Sequence, residues 1–159
     1  MSAPFRFTVP FLPPSVNHYR GVSKNGGFYR KREAVAFVDA VCVISRKTMV
    51  TGNFYTVEIF FFLGPSKRNL SSNDLDNFQK VGIDALVRAG VIKTDGRILD
   101  LHLHKRFVAG DREERTEYFV TGRQIDEKKI FDSASDQLSS AGETGAPNQR
   151  APTSRTAQV

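Results

Sequence analysis

The sequence predicts an α+β (mixed α/β) fold: one small domain with a mixed β-sheet packed by two main helices, then a disordered C-terminal tail. Three observations predict it. Two segments with helical periodicity, about residues 31–49 and 75–89, are interleaved with segments whose apolar residues alternate. A length of 159 residues suits a single domain. From about residue 133, Ser, Ala, Gly, Pro, Thr and Gln take over, and Leu138 is the only large aliphatic residue before Val159. The domain is expected over residues 1–124 and the tail over 125–159, with disorder from about 133.

The elements follow in order. Phe5, Phe7 and Val9 alternate with Arg6 and Thr8 as in a strand, which the prolines at 10, 13 and 14 end. Residues 15–20 read as a loop and 23–27 as a flexible stretch. In the first helix Val35, Val38, Val41, Cys42 and Ser45 recur at helical spacing. Gly52 and Asn53 break the chain before a strong strand over residues 54–63. There Val57, Ile59, Phe61 and Leu63 share one face, and Thr56, Glu58, Phe60 and Phe62 share the other. Apolar residues on both faces predict cover on both sides, by helices or by a second subunit. Residues 64–73 form a polar loop.

The second helix buries Phe78, Val81, Gly82, Ala85, Leu86 and Ala89, with Asn77, Lys80, Asp84 and Arg88 on the opposite side. Gly90 suits its stop. After the turn at Thr94-Asp-Gly96, Leu99, Leu101 and Leu103 alternate with Asp100, His102 and His104 along another strand. A charged turn over residues 109–115 leads to a returning strand over 116–120.

The bulk properties narrow the function. Phe contributes 13 residues, Tyr 4 and Trp none, so the core is expected to be rich in phenylalanine. The single cysteine, Cys42, excludes an intrachain disulfide. Between Val41 and Val43 it reads as a buried small hydrophobe, which fits a reducing, cytoplasmic setting. No secretory signal is legible at the start. The longest apolar run, residues 59–63, is far below the ~20 residues of a membrane helix, so no membrane association is expected. The net charge is +6; residues 1–120 hold 18 Lys and Arg against 12 Asp and Glu, and the remainder holds five of each. The folded part therefore carries the whole excess, and a polyanion is its natural partner.

Within this basic chain lies an acidic constellation. Asp74 and Asp76 stand two residues apart, Lys80 follows four later, and Asp95 lies past the next turn. Three oxygen-donor carboxylates suit Mg²⁺ or Mn²⁺, and a lysine beside them suits a phosphate. Without a cation, three converging carboxylates would repel one another. Asp-x-Asp alone is a weak signal, because Asp74 or Asp76 also sits where a helix N-cap belongs. Lys80 with Asp76 and Asp84 equally reads as a surface ladder worth a few tenths of a kcal/mol per pair. It is Asp95, returning toward the helix, that favours a site. His18, His102 and His104 lack the spacing and cysteine partners of a zinc site. Arg20, Lys24, Arg30, Lys31, Lys67 and Arg68, in loops or at helix starts, suit phosphate contacts.

The segments Pro13-Pro-Ser-Val-Asn-His-Tyr-Arg20, Asn73-Asp-Leu-Asp-Asn-Phe-Gln-Lys80 with Asp84-Ala-Leu86, and Gly90-Val-Ile-Lys-Thr-Asp95, together with Lys105, resemble the RusA-like crossover junction endodeoxyribonucleases. The resemblance covers roughly residues 4–120. It implies a homodimeric Mg²⁺-dependent nuclease of mixed α/β fold, with Mn²⁺ as a substitute. Such enzymes resolve four-way (Holliday) junctions by paired symmetric nicks in DNA recombination and repair, and are bacterial or phage-encoded. By the same resemblance Asp74, Asp76 and Asp95 are metal-binding catalytic carboxylates and Lys80 is the essential lysine. Asn17, Tyr19 and Lys105 join the basic residues as DNA contacts. Members often carry an acid beside the downstream Asp, where this chain has Thr94. The alternatives are a catalytically silent junction binder, in which the acids only cap the helix, and a phosphatase of small substrates, which leaves the basic surface without a role.

Overall fold

A computed structural model of the chain describes residues 3–16, 20–22, 28–67, 74–126 and 128. Contacts divide the chain into two units, Met1–Gln124 and Ile125–Val159, and the fold is that of the first. The tail expected to be disordered from about 133 lies outside the described residues, as do the stretch 23–27 and most of the polar loop after residue 67.

The elements in chain order are β1 (Phe5–Val9), β2 (Arg20–Val22), β3 (Phe28–Arg30), α1 (Arg32–Ile44), β4 (Phe54–Leu63), α2 (Leu75–Arg88), β5 (Ile98–Phe107) and β6 (Arg115–Arg123). Four strands form one sheet in the order β1-β6-β4-β5. β6 pairs antiparallel with both β1 and β4, whereas β5 runs parallel to β4. The sheet is therefore mixed. A parallel neighbour cannot be reached by a tight hairpin, and the crossover from β4 to β5 carries α2. β2 and β3 form a separate antiparallel pair, with Arg20 opposite Arg30. The loop expected over residues 15–20 thus gives way to a strand at Arg20.

The alternation in β4 is strict. Tyr55, Val57, Ile59, Phe61 and Leu63 are fully buried, and the residues between them are half-buried. Their neighbours on the buried face are Tyr118 and Val120 of β6 and the partly buried Leu101 and Leu103 of β5. Helix α2 lays its expected stripe on this face: Phe78, Val81, Gly82, Ala85 and Leu86, with Ile83 also buried. Phe78 meets Phe61 at 5.4 Å between ring centroids. At Gly82 a Cβ would stand 3.2 Å from the Tyr118 hydroxyl, so glycine lets helix and sheet approach closely. Gly90 ends the helix in the left-handed region, φ +73°.

Helix α1 differs from expectation in its face and its length. It buries Ala34, Phe37, Val38 and Val41, whereas Val35 is 43% exposed. Phe37 offers more apolar area than any valine and sets the rotation of the helix. Cys42 is consequently half-buried rather than buried. The helix ends at Ile44 instead of near 49, because Arg46 and Lys47 turn into positive φ (51° and 53°). On β5 the expected row of three leucines also breaks. Tyr55 pairs with Ile98 but Thr56 with Asp100, so Leu99 is the extra residue of a bulge and is 42% exposed.

The buried stripes of both helices and the buried strand residues form one core cluster, which places the helices on a single face of the sheet. Cover by helices or by a second subunit was expected over Phe60 and Phe62; among the described residues no helix lies over them. Arginine and histidine side chains lie over these rings. The Arg115 guanidinium is 3.6 Å from the Phe62 centroid, Arg106 is 5.5 Å from that of Phe60, and His104 stacks on Phe60 at 4.3 Å. Aliphatic stems and ring faces thus shield each other, while Arg115 pairs with Glu117 and His104 meets Glu58. No helix among the described residues is long and apolar enough to cross a membrane.

The Tyr118 hydroxyl donates to the Gly82 carbonyl at 3.4 Å inside the core, and burial holds its phenol above the usual range, so it stays a donor. Tyr118→Phe should lower stability by about 1 kcal/mol in chemical denaturation. An unchanged midpoint would show that the hydroxyl does not tie α2 to the sheet.

Candidate active site

Asp74 is the N-cap of α2, with extended backbone (φ −69°, ψ 147°), yet its side chain makes no capping hydrogen bond. In the first turn Asn77 N donates to the backbone carbonyl of Asp74 at 3.1 Å. Its carboxylate is exposed and is not consumed by the helix end. Asp76, in the first turn, uses one oxygen to accept the Asn77 amide at 3.0 Å.

Asp95 opens the 3₁₀ turn Asp95–Arg97. Its Oδ1 accepts the Gly96 amide at 2.9 Å and the Thr94 hydroxyl at 3.2 Å. The departure at Thr94 thus has a local use, since the hydroxyl orients Asp95. The turn is pinned to the start of β4: Arg97 donates to the Asn53 carbonyl at 3.2 Å and lies 5.4 Å from the Phe54 ring centroid.

A cavity of about 460 Å³ opens between α2 and this turn. It is lined by Gln79, Lys80, Ile83 and Asp84 from α2, and by Asp95, Gly96, Ile98 and Leu101 from the turn and β5. Lys80 lies 4.0 Å from Asp84, its side chain 56% exposed. No ion pair between Lys80 and Asp76 occurs among the described residues. The structure therefore brings Lys80 and Asp95 together, with Asp84 as an additional carboxylate. Asp84 was legible only as a rung of a surface ladder, because its spacing from Lys80 serves both roles.

Asp74 and Asp76 do not line this cavity. At ~1.5 Å per residue, Asp76 lies one turn, about 6 Å, before Lys80 along the helix. Among the described residues no three His, Cys, Asp or Glu side chains are placed to hold one metal ion. The donor chemistry nonetheless suits a hard cation, since Asp74, Asp76 and Asp95 are exposed carboxylates.

The other expected contacts are dispersed. Lys67 pairs with Glu114, which also accepts the Gly64 amide at 3.0 Å. Asp111 accepts the Ser66 amide at 3.0 Å, and this hydrogen bond is the main reason its carboxyl lies below the usual range. The contact is thus present above the ordinary carboxylate pKa and is lost as pH falls through the lowered value. Together these groups fix the chain as it leaves β4 toward α2. Lys105 lies opposite Phe61 in the β4–β5 register and is half-buried. Lys31 is the N-cap of α1. Arg20 and Arg30 face each other in register between β2 and β3. Asn17, Tyr19, Lys24 and Arg68 lie outside the described residues.

The fold is a mixed sheet with its helices on one face, and its cavity carries a lysine and two carboxylates in a basic chain. The chain matches the family model of the endodeoxyribonuclease RusA over residues 10–117, and it belongs to that family. The matched stretch contains Asp74, Asp76, Lys80 and Asp95. Membership implies an endonuclease that resolves Holliday junctions, with branched DNA as substrate, and nucleases of this family are generally dependent on a divalent metal. Comparison with curated proteins finds no match.

Proposed function

We propose that this chain is a Mg²⁺-dependent endonuclease that resolves four-way DNA junctions by paired symmetric nicks, in recombination and repair, with Mn²⁺ as a working substitute. The observation that carries the reading is that Lys80 and Asp95, from different elements, line one cavity within the matched segment. Asp74, Asp76 and Asp95 would hold the metal, which supplies Lewis-acid polarisation of the phosphate and a more acidic attacking water. Lys80 contributes a mobile positive charge at the cavity mouth, where it meets a phosphate oxygen as negative charge builds there. Asp84, at 4.0 Å, limits the directions that charge can take. A silent binder would need a basic surface but not this group, and the uncapped Asp74 carboxylate argues against a purely structural role.

Lys80→Ala separates the readings. A lysine serving only an exposed i,i+4 pair contributes well under ~1 kcal/mol to stability. One that stabilises charge developing at the phosphate contributes about 3 kcal/mol to the barrier, on the order of 10²–10³ in rate. The variant should cleave a pre-bound junction at least about a hundredfold more slowly in single turnover, with its melting temperature nearly unchanged. A wild-type rate would return Lys80 to the surface.

Two opposed nicks call for two sites, and a two-fold homodimer is the simplest arrangement. The open sheet face suits the contact. Phe60, Phe62 and Phe119 lie among Arg106, Arg115, Glu58 and Glu117, so both charge signs are present for a self-complementary patch. Sedimentation should show a dimer at micromolar concentration that Phe60→Glu dissociates. A fully active monomer would remove the idea.

A further inference from the structure

The cavity beside Lys80 holds more than phosphate chemistry needs. Lys80, Asp84 and Asp95 account for its charged part, but Ile83, Ile98 and Leu101 wall it with aliphatic surface, and Gln79 stands at its edge. Ile83 is buried, and Ile98 and Leu101 are partly buried against the core, so this wall is fixed by the fold. A cation or a phosphate gains nothing from such a wall. A ligand with an anionic group joined to a flat apolar one does, and a nucleotide is such a ligand. The volume of about 460 Å³ is in the range of small-molecule pockets.

We propose, resting on the junction-cleavage reading, that this cavity receives the nucleobase beside the scissile phosphate, withdrawn from the stack, and that Gln79 reads its edge. The base lies along Ile83, Ile98 and Leu101 while its phosphate stays at Lys80. A glutamine amide carries donors and an acceptor together, the set needed to distinguish base edges. Unstacking is least costly where pairing is already interrupted, as at a branch point. Gln79 is then a specificity-determining residue of the cleavage reaction.

Two measurements on the full chain test this. In the first, a fluorescent adenine analogue replaces the base beside the cut in a synthetic four-way junction. Wild-type protein should raise its emission severalfold on binding, and Leu101→Asp, which places a charge in the wall, should abolish the rise. No rise with wild-type protein overturns the proposal. In the second, single-turnover rates are compared over junctions that differ only at that base. Gln79→Ala should lower the ratio of best to worst base about tenfold, the loss of one good base contact. An unchanged ratio overturns the assignment to Gln79. If wild-type protein raises the emission but cuts no junction, the cleavage reading has failed and the base pocket stands.

Discussion

The packing of α2 on the buried face of β4 and β6 governs the rest of this structure. The helix is the crossover between two parallel strands, so it must lie flat on the sheet it bridges. Its apolar stripe does so through Phe78 on Phe61, and through Gly82, whose missing side chain admits Tyr118. That contact fixes the rotation of the helix. With Phe78, Val81, Gly82, Ala85 and Leu86 turned inward, Lys80 and Asp84 are left on the outer flank, toward the turn that starts β5. Arg97, bonded to Asn53, holds that turn in place from the other side. The candidate site is therefore a consequence of core packing: a rotation of α2 by one residue would carry Lys80 away from Asp95.

How far the sequence revealed this depends on the kind of signal. The α2 stripe was legible because its residues recur at strict helical spacing and end at a glycine. β4 was equally plain, since nine of its ten residues are β-branched, aromatic or apolar, Glu58 alone excepted. The stripe of α1 was legible in part: Val38, Val41 and Ser45 are buried as expected, but Val35 is exposed because Phe37, a single large ring, decides the rotation of the helix. The bulge at Leu99 left no mark, because an inserted residue in a Leu-x-Leu-x-Leu run preserves the alternation it breaks. The β2–β3 pair was missed because three-residue strands are too short to show a period.

The chemistry was half legible. Asp74, Asp76, Lys80 and Asp95 stood out by residue type and spacing, but which of them share a space is a tertiary fact. Sequence spacing offered Asp76 and Asp84 equally as neighbours of Lys80. The helix presents Lys80 beside Asp84, with Asp95 across the cavity. The apolar wall of that cavity was hidden, because Ile83, Ile98 and Leu101 look like ordinary core residues in a sequence. The open sheet face shows the same limit. Phe60 and Phe62 were recognised as needing cover, but arginine and histidine side chains from neighbouring strands provide it, and only the strand register places them there.

The measurement that bears most directly on the central claim is incubation of the chain with a synthetic four-way junction labelled on each strand in turn, with Mg²⁺ and with EDTA, and with Asp74→Asn in parallel. The account predicts nicks at symmetric positions on two opposed strands with Mg²⁺, none with EDTA, and none from Asp74→Asn even though that variant still binds the junction. A junction that is bound but left intact by the wild-type chain in Mg²⁺, or one cut equally well in EDTA, would contradict it.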